Sequence, residues 1–152
     1  MAGINKPIRV MIVDDHKKIR DSLQLFLSTY DDLEYVGEAE DGEEALSTCD
    51  DVKPNVILMD ILMPKMNGIE ATRSLQKKFP TVKIIALTSF KDEGLISEIL
   101  SAGATGALLK NAPIDAIANA IRSAYFGTQI LPKIYDQSKQ NPLNKKTNFN
   151  ND

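Results

Sequence analysis

Ile8-Arg9-Val10-Met11-Ile12-Val13-Asp14-Asp15 is an apolar run that stops on two carboxylates. It does not alternate apolar with polar, so it predicts a strand buried on both faces. Directly behind it, Ile19, Leu23, Phe26 and Leu27 recur at helical spacing. Residues 16–30 therefore predict an amphipathic helix. The same change of period repeats down the chain. Leu33 to Ala39 is a weaker strand, with Val36 its best β former, and Asp41-Gly42-Glu43-Glu44 supplies an N-cap and an acidic first turn for a helix reaching about Cys49. Past Pro54, Asn55 to Met59 is a second buried strand ending at Asp60. Asn67-Gly68 opens a helix carrying Ile69, Thr72, Leu75 and Phe79, which Pro80 stops. Val82 to Leu87 predicts a strand ending at Thr88-Ser89, and Lys91 to Ser101 a helix closed by Gly103. Ala104 to Leu109 is a short strand ending at Lys110, and Pro113 opens a last helix with Ile114, Ile117, Ala118 and Ile121 on one face and Gly127 at its end.

Strands alternating with helices imply a parallel sheet covered on both faces. The expected fold is α/β: a (βα)5 doubly wound, parallel five-stranded, flavodoxin-like sheet. Residues 1–7 are then an N-terminal extension, 8–130 the domain, and 131–152 a polar linker or tail with five Asn and scattered apolar residues.

Composition bounds the function. The chain of 152 residues suits one domain. No apolar run approaches the ~20 residues that span a bilayer, and residues 1–7 have no signal-peptide core. The single Cys49 and single His16 exclude a multi-cysteine or histidine-rich metal site. A cytoplasmic location is the simplest expectation. Residues 1–132 carry 14 Lys and Arg against 19 Asp and Glu, whereas 133–152 carry four Lys and two Asp. An acidic body is a poor partner for nucleic acid.

In a doubly wound sheet, ligands gather at the carboxyl ends of the strands. Those ends hold Asp14 and Asp15, then Asp60, then Thr88 and Ser89, then Lys110. Singly, an Asp after a strand is most often a turn residue, Thr88 a helix cap and Lys110 a solvated lysine. Their joint placement at successive strand ends is the signal. Clustered carboxylates repel one another, and Mg²⁺, which wants oxygen ligands and keeps several waters, relieves them. Cation, ammonium and hydroxyl together describe a phosphoryl site. No phosphate-binding glycine loop is present, which argues against a tightly held nucleotide. With no His or Cys nucleophile at the strand ends, a carboxylate is the natural phosphate acceptor. Asp60, alone at its strand, is the candidate, leaving the adjacent Asp14 and Asp15 to the metal.

At these residues the chain resembles the receiver domain of two-component response regulators. The resemblance lies in Val13-Asp14-Asp15-His16, in Met59-Asp60-Ile61-Leu62-Met63-Pro64-Lys65-Met66-Asn67-Gly68, in Ala86-Leu87-Thr88-Ser89 and in Ser101 through Lys110, in that order. It implies a phosphorylation-activated switch that catalyses only its own phosphotransfer and dephosphorylation. Asp60 would take a phosphoryl group from a sensor histidine kinase. Asp14, Asp15 and Asp60 would hold Mg²⁺ together with the backbone carbonyl of Leu62. Thr88 would be the switch hydroxyl that hydrogen-bonds the phosphoryl group, and Lys110 the ion-pair partner of that phosphoryl group. Asp14-Asp15-His16 and Leu108-Leu109-Lys110-Asn111-Ala112-Pro113 most resemble the NarL/FixJ subfamily, which carries a LuxR-type helix-turn-helix. His16 is expected to start a helix rather than ligate.

Two departures stand out. The position three before the lysine, often aromatic in receivers, is Ala107. Signalling is then expected to rest on movement of the Thr88 loop and the helix after it. Second, no helix-turn-helix follows, and residues 131–152 resemble an interdomain linker. The expectation is a transcriptional regulator whose DNA-binding domain lies outside this chain, DNA being reached only through that domain. The alternative is a stand-alone receiver acting by protein contact. A homodimer formed on phosphorylation would use the helix of residues 91–101 or the last helix, whose apolar residues core packing explains equally well. Leu62 and Phe90, two residues past Asp60 and Thr88, are expected to flank the phosphoryl group and exclude water.

Two rival classes fail on particular residues. A haloacid-dehalogenase-type phosphatase needs an acid two residues past its nucleophile, and here Lys17 and Leu62 stand at those positions. A flavin carrier needs a Ser/Thr/Gly-rich loop after the first strand, where Asp14-Asp15-His16-Lys17-Lys18 would repel the flavin phosphate.

Overall fold

The computed structural model describes residues 6–63, 65–89 and 92–127. The predicted tail, Pro64, Phe90 and Lys91 lie outside the described residues. Ten elements alternate: β1 (Ile8–Val13), α1 (Lys17–Leu27), β2 (Leu33–Ala39), α2 (Gly42–Val52), β3 (Val56–Asp60), α3 (Gly68–Lys78), β4 (Lys83–Thr88), α4 (Glu93–Ser101), β5 (Gly106–Leu109) and α5 (Ile114–Phe126). The strands form one sheet in the order β2-β1-β3-β4-β5, every pair parallel. The expected doubly wound architecture is the one observed.

Strand pleating sends successive side chains to opposite faces. On one face Val10 and Ile12 of β1, Val56 and Leu58 of β3 and Ile85 and Leu87 of β4 meet Leu27 of α1 and Ile117 and Ile121 of α5. On the other, Met11, Val13, Ile57, Met59 and Ile84 meet Ala45 and Cys49 of α2 and Leu75 of α3. A third cluster beneath α4 joins Ala86 and Ala107 to Ile96 and Ile99. All five residues of β3 are buried, the four apolar ones as their unbroken run requires and Asp60 at the strand's end with them.

Element ends differ from the sequence expectation for local reasons. α1 closes at Leu27 rather than Tyr30, because Thr29 and Tyr30 bond back only three residues, to the carbonyls of Phe26 and Leu27. α2 runs past Cys49 to Val52 and stops where Lys53 turns left-handed at φ 49°. α4 starts at Glu93, because the side chain of Asp92 accepts the N–H of Leu95 as its N-cap. β5 starts at Gly106 because Gly103, at φ +122°, turns the chain out of α4 and residues 104 and 105 complete the connection.

The strand order reverses between β1 and β3, since β2 lies to one side of β1 and β3 to the other. That reversal opens a crevice at their carboxyl ends. Gly68 closes its floor. The Gly68 N–H donates to the Ile61 carbonyl at 2.7 Å, and a Cβ at this position would overlap the Asp60 carbonyl and come within 2.7 Å of the Ile61 Cα. Only glycine lets α3 begin this close to the end of β3.

Candidate functional site

The strand ends bring the sequence candidates together. Asp14 follows β1, Asp60 and Thr88 are the last residues of β3 and β4, and Lys110 follows β5. Asp14, Asp60 and Thr88 are buried. Lys110 reaches across them, its Nζ 2.7 Å from Asp14 Oδ2 and 3.2 Å from Asp60 Oδ1. Its backbone N–H donates to the Thr88 carbonyl at 2.8 Å, so the end of β4 positions the lysine. A cavity of about 250 Å³ opens over the group, lined by His16, Asp60, Leu62, Thr88, Ser89 and Lys110. Leu62 is half exposed at its edge. Phe90, expected beside it, lies outside the described residues.

Electrostatics follows from this crowding. Burial and then the neighbouring Asp14 carboxylate push the Asp60 carboxyl up to about 6, against the opposing pull of Lys110. Burial alone would lower the Lys110 ammonium, but the hydrogen bond to Asp14 and the charges of Asp60 and Asp14 outweigh it and hold Lys110 above its ordinary value. Asp14 and Asp60 thus share one ammonium, with the Asp15 carboxylate close by. Two buried carboxylate oxygens of the group, Asp15 Oδ1 and Asp60 Oδ2, accept no hydrogen bond among the described residues. Buried polar atoms of this kind have room for a further donor or a cation, and the ring of His16 lies 3.1 Å from Asp15 Oδ1 through Nδ1. Asp14, Asp15, His16 and Asp60 each place one ligand atom within 4.8 Å of the others. Hard oxygen donors, excess negative charge and two unsatisfied oxygens fit a divalent cation such as Mg²⁺.

Sequence reasoning missed two contributions. His16 does start α1 as its N-cap residue, but its side chain makes no cap. The ring turns inward, with Nδ1 3.1 Å from both Asp14 Oδ1 and Asp15 Oδ1. Its adjacency to the two aspartates was the available signal. Arg20, one turn along α1, donates from Nη1 to the Asp14 carbonyl at 2.7 Å. Its Nε donates to Glu38 Oε2 at 3.1 Å, and the Tyr35 hydroxyl donates to Glu38 Oε1 at 3.0 Å. This chain ties the β1–α1 turn to β2. Nothing in the linear spacing of residues 20, 35 and 38 announces it.

The response regulator receiver domain family matches residues 10–122. Among curated proteins, the chain is 37% identical over 139 residues to the response regulator protein VraR of Staphylococcus saprophyticus, covering 88% of this chain and 66% of that one. It is 41% identical over 128 residues to the transcriptional regulatory protein DegU of Brevibacillus brevis, covering 84% of this chain and 54% of that one. The chain thus spans between about half and two thirds of the length of these relatives. Among solved structures, the signal receiver domain of the putative response regulator NarL from Mycobacterium tuberculosis superposes with a TM-score of 0.77 at 28% identity, covering 81% of this chain and 99% of that one.

Proposed function

This chain belongs to the response regulator receiver domain family, and from that premise we propose that Asp60 is its phosphoacceptor, served by Asp14, Asp15, Thr88 and Lys110. The observation that carries the assignment is Asp60 Oδ2, a buried carboxylate oxygen that accepts no hydrogen bond among the described residues, on a side chain lining the cavity. Its other oxygen is held by Lys110. An oxygen so placed keeps its lone pairs for an incoming phosphorus. In the transfer, a P–O bond to Asp60 forms as the P–N bond of a kinase phosphohistidine breaks, and the imidazole leaves with the electron pair. Lys110 sits where its ammonium meets the charge arriving on the phosphoryl oxygens. The Thr88 hydroxyl, at the end of the neighbouring strand, would donate to one of those oxygens.

Asp14, Asp15 and Asp60, with the backbone carbonyl of Leu62, would hold Mg²⁺. Bound there, it supplies positive charge to offset the phosphoryl oxygens. The sensor kinase as donor, a phosphorylation-dependent homodimer and control of transcription through a DNA-binding region belong to the same proposal. The last is supported by the likeness to DegU, named a transcriptional regulatory protein.

The test is incubation of the full chain with acetyl phosphate and Mg²⁺, read by intact mass. The expected result is one added phosphoryl group that Asp60→Asn abolishes. An adduct that persists in Asp60→Asn assigns the chemistry elsewhere and refutes the proposal.

A further inference from the structure

We infer that His16 is a nitrogen ligand of the acidic site, and that the site therefore takes later first-row divalent cations such as Ni²⁺ through a donor that Mg²⁺ does not use. The inference rests on the cation site proposed above and adds a ligand to it. Adjacent ligands around an octahedral cation, each about 2.1 Å from the metal, stand about 3.0 Å apart. The His16 Nδ1 atom stands 3.1 Å from Asp14 Oδ1 and 3.1 Å from Asp15 Oδ1. Those spacings serve a hydrogen bond from Nδ1, and they equally match neighbouring vertices on one coordination shell once a cation replaces the proton. Asp60, buried and with Oδ2 accepting no hydrogen bond among the described residues, completes the four-residue group.

Without a cation, Nδ1 lies within hydrogen-bond reach of Asp14 Oδ1 and beside Asp15 Oδ1, so a cation would take the place of a proton between them. His16 occupies the N-cap position of α1 without making a side-chain cap, and its side chain is 66% exposed although Nδ1 points inward. Its backbone N–H donates to Asp14 Oδ1 at 2.8 Å, which fixes the Cα beside the carboxylates. To ligate, Nδ1 must offer its lone pair, so the ring proton has to sit on Nε2. The exposed ring can exchange that proton with solvent. Oxygen donors suit Mg²⁺, whereas imidazole suits the later first-row ions. His16 then adds affinity for Ni²⁺ and little for Mg²⁺.

His16 is the single histidine of the 152 residues, so a histidine label reports on one ring. The untagged full chain is loaded with Cu²⁺, a later first-row ion suited to imidazole, and studied by pulsed electron paramagnetic resonance, with natural-abundance and with ¹⁵N-histidine protein. A nitrogen coupling that changes with the label is expected, and a spectrum indifferent to it overturns the inference. Calorimetry with Ni²⁺ and with Mg²⁺ gives the second reading. Ni²⁺ affinity should fall about tenfold or more in His16→Ala while Mg²⁺ affinity stays within about twofold. Equal losses for both ions, or none for Ni²⁺, overturn it. Asp15→Asn separates the layers. Weakening of both ions by Asp15→Asn supports the shared site. Ni²⁺ binding that survives Asp15→Asn but not His16→Ala marks a surface chelate and overturns the inference alone. Mg²⁺ binding indifferent to Asp15→Asn overturns the cation site and this inference with it.

Discussion

Replacing Asp60 with Asn should make the metal-free protein more stable at neutral pH, although it removes a group held by an ion pair. Burial and the Asp14 carboxylate raise the Asp60 carboxyl from its ordinary 3.8 to about 6. The folded state therefore binds this proton more tightly than the unfolded chain does. Each pH unit of such a difference is worth about 1.4 kcal/mol, so ionised Asp60 costs the fold about 3 kcal/mol at pH 7. Asp60 is 5% exposed, so solvent screening removes little of this. The sign follows from the direction of the change. The penalty is fully present above pH 6 and is relieved as pH falls from about 6 towards 3.8. Asn mimics the neutral carboxyl, and Lys110 keeps its contact with Asp14 at 2.7 Å.

The assay is urea unfolding of both proteins in EDTA at pH 7.5 and again near pH 4. At pH 7.5 Asp60→Asn should gain about 2 to 3 kcal/mol, close to 1 M in urea midpoint. Near pH 4 the two proteins should differ by less than about 1 kcal/mol. A variant less stable than the wild type at pH 7.5, or a gap independent of pH, would refute the account of Asp60 as a buried, crowded charge.

Three further outcomes follow from the geometry. Leu62 lines the cavity mouth, so Leu62→Asn should shorten the lifetime of the phosphorylated protein several-fold, measured by loss of the intact-mass adduct. Equal lifetimes would remove Leu62 as a water barrier. Ala107 is 1% exposed and packs with Ala86, Ile96 and Ile99, so Ala107→Phe should cost about 1 to 3 kcal/mol in urea unfolding by overpacking. Arg20→Met keeps the apolar stem but loses the bond to the Asp14 carbonyl. Mg²⁺ affinity by calorimetry should drop about tenfold, as for other groups that orient ligands.

Much of the site was legible because one topological rule converts strand ends into neighbours. Once β1, β3, β4 and β5 are read as parallel, Asp14, Asp60, Thr88 and Lys110 must share an edge, and they do. The unread parts depend on contacts that no period encodes. Asn67-Gly68 was legible as a helix start, but the need for glycine comes from the Asp60 carbonyl lying against it. Arg20 looks like any polar residue on α1 until β2 brings Glu38 to its guanidinium. Ala107 could be named as a departure, yet its consequence depends on how tightly Ile96 and Ile99 close over it. The end of α1 departs from its expected place because Tyr30 packs against the core from a turn, where its spacing imitates another helical step.

The charge ledger of the site fixes what removing divalent cations must do. Asp14, Asp15 and Asp60 carry three negative charges against the single positive charge of Lys110, a balance of minus two. On the proposed reading, phosphorylation consumes the Asp60 charge and installs a phosphoryl group of about minus two, so the balance without a cation becomes about minus three. A divalent cation resets these values to about zero before transfer and about minus one after it. Two unit charges 4 Å apart repel by about 4 kcal/mol at an effective dielectric of 20. The cation-free route therefore meets a penalty of several kcal/mol as the donor approaches, and Lys110 is already committed to Asp14. Chelation with EDTA should reduce the acetyl phosphate-dependent rate of adduct formation by at least about a hundredfold, since about 2.7 kcal/mol corresponds to that factor. Restoring Mg²⁺ should recover the rate, and Asp60→Asn should stay unreactive throughout. A rate unchanged by chelation would mean that Lys110 alone neutralises the incoming group, and the carboxylates of Asp14 and Asp15 would then need another explanation.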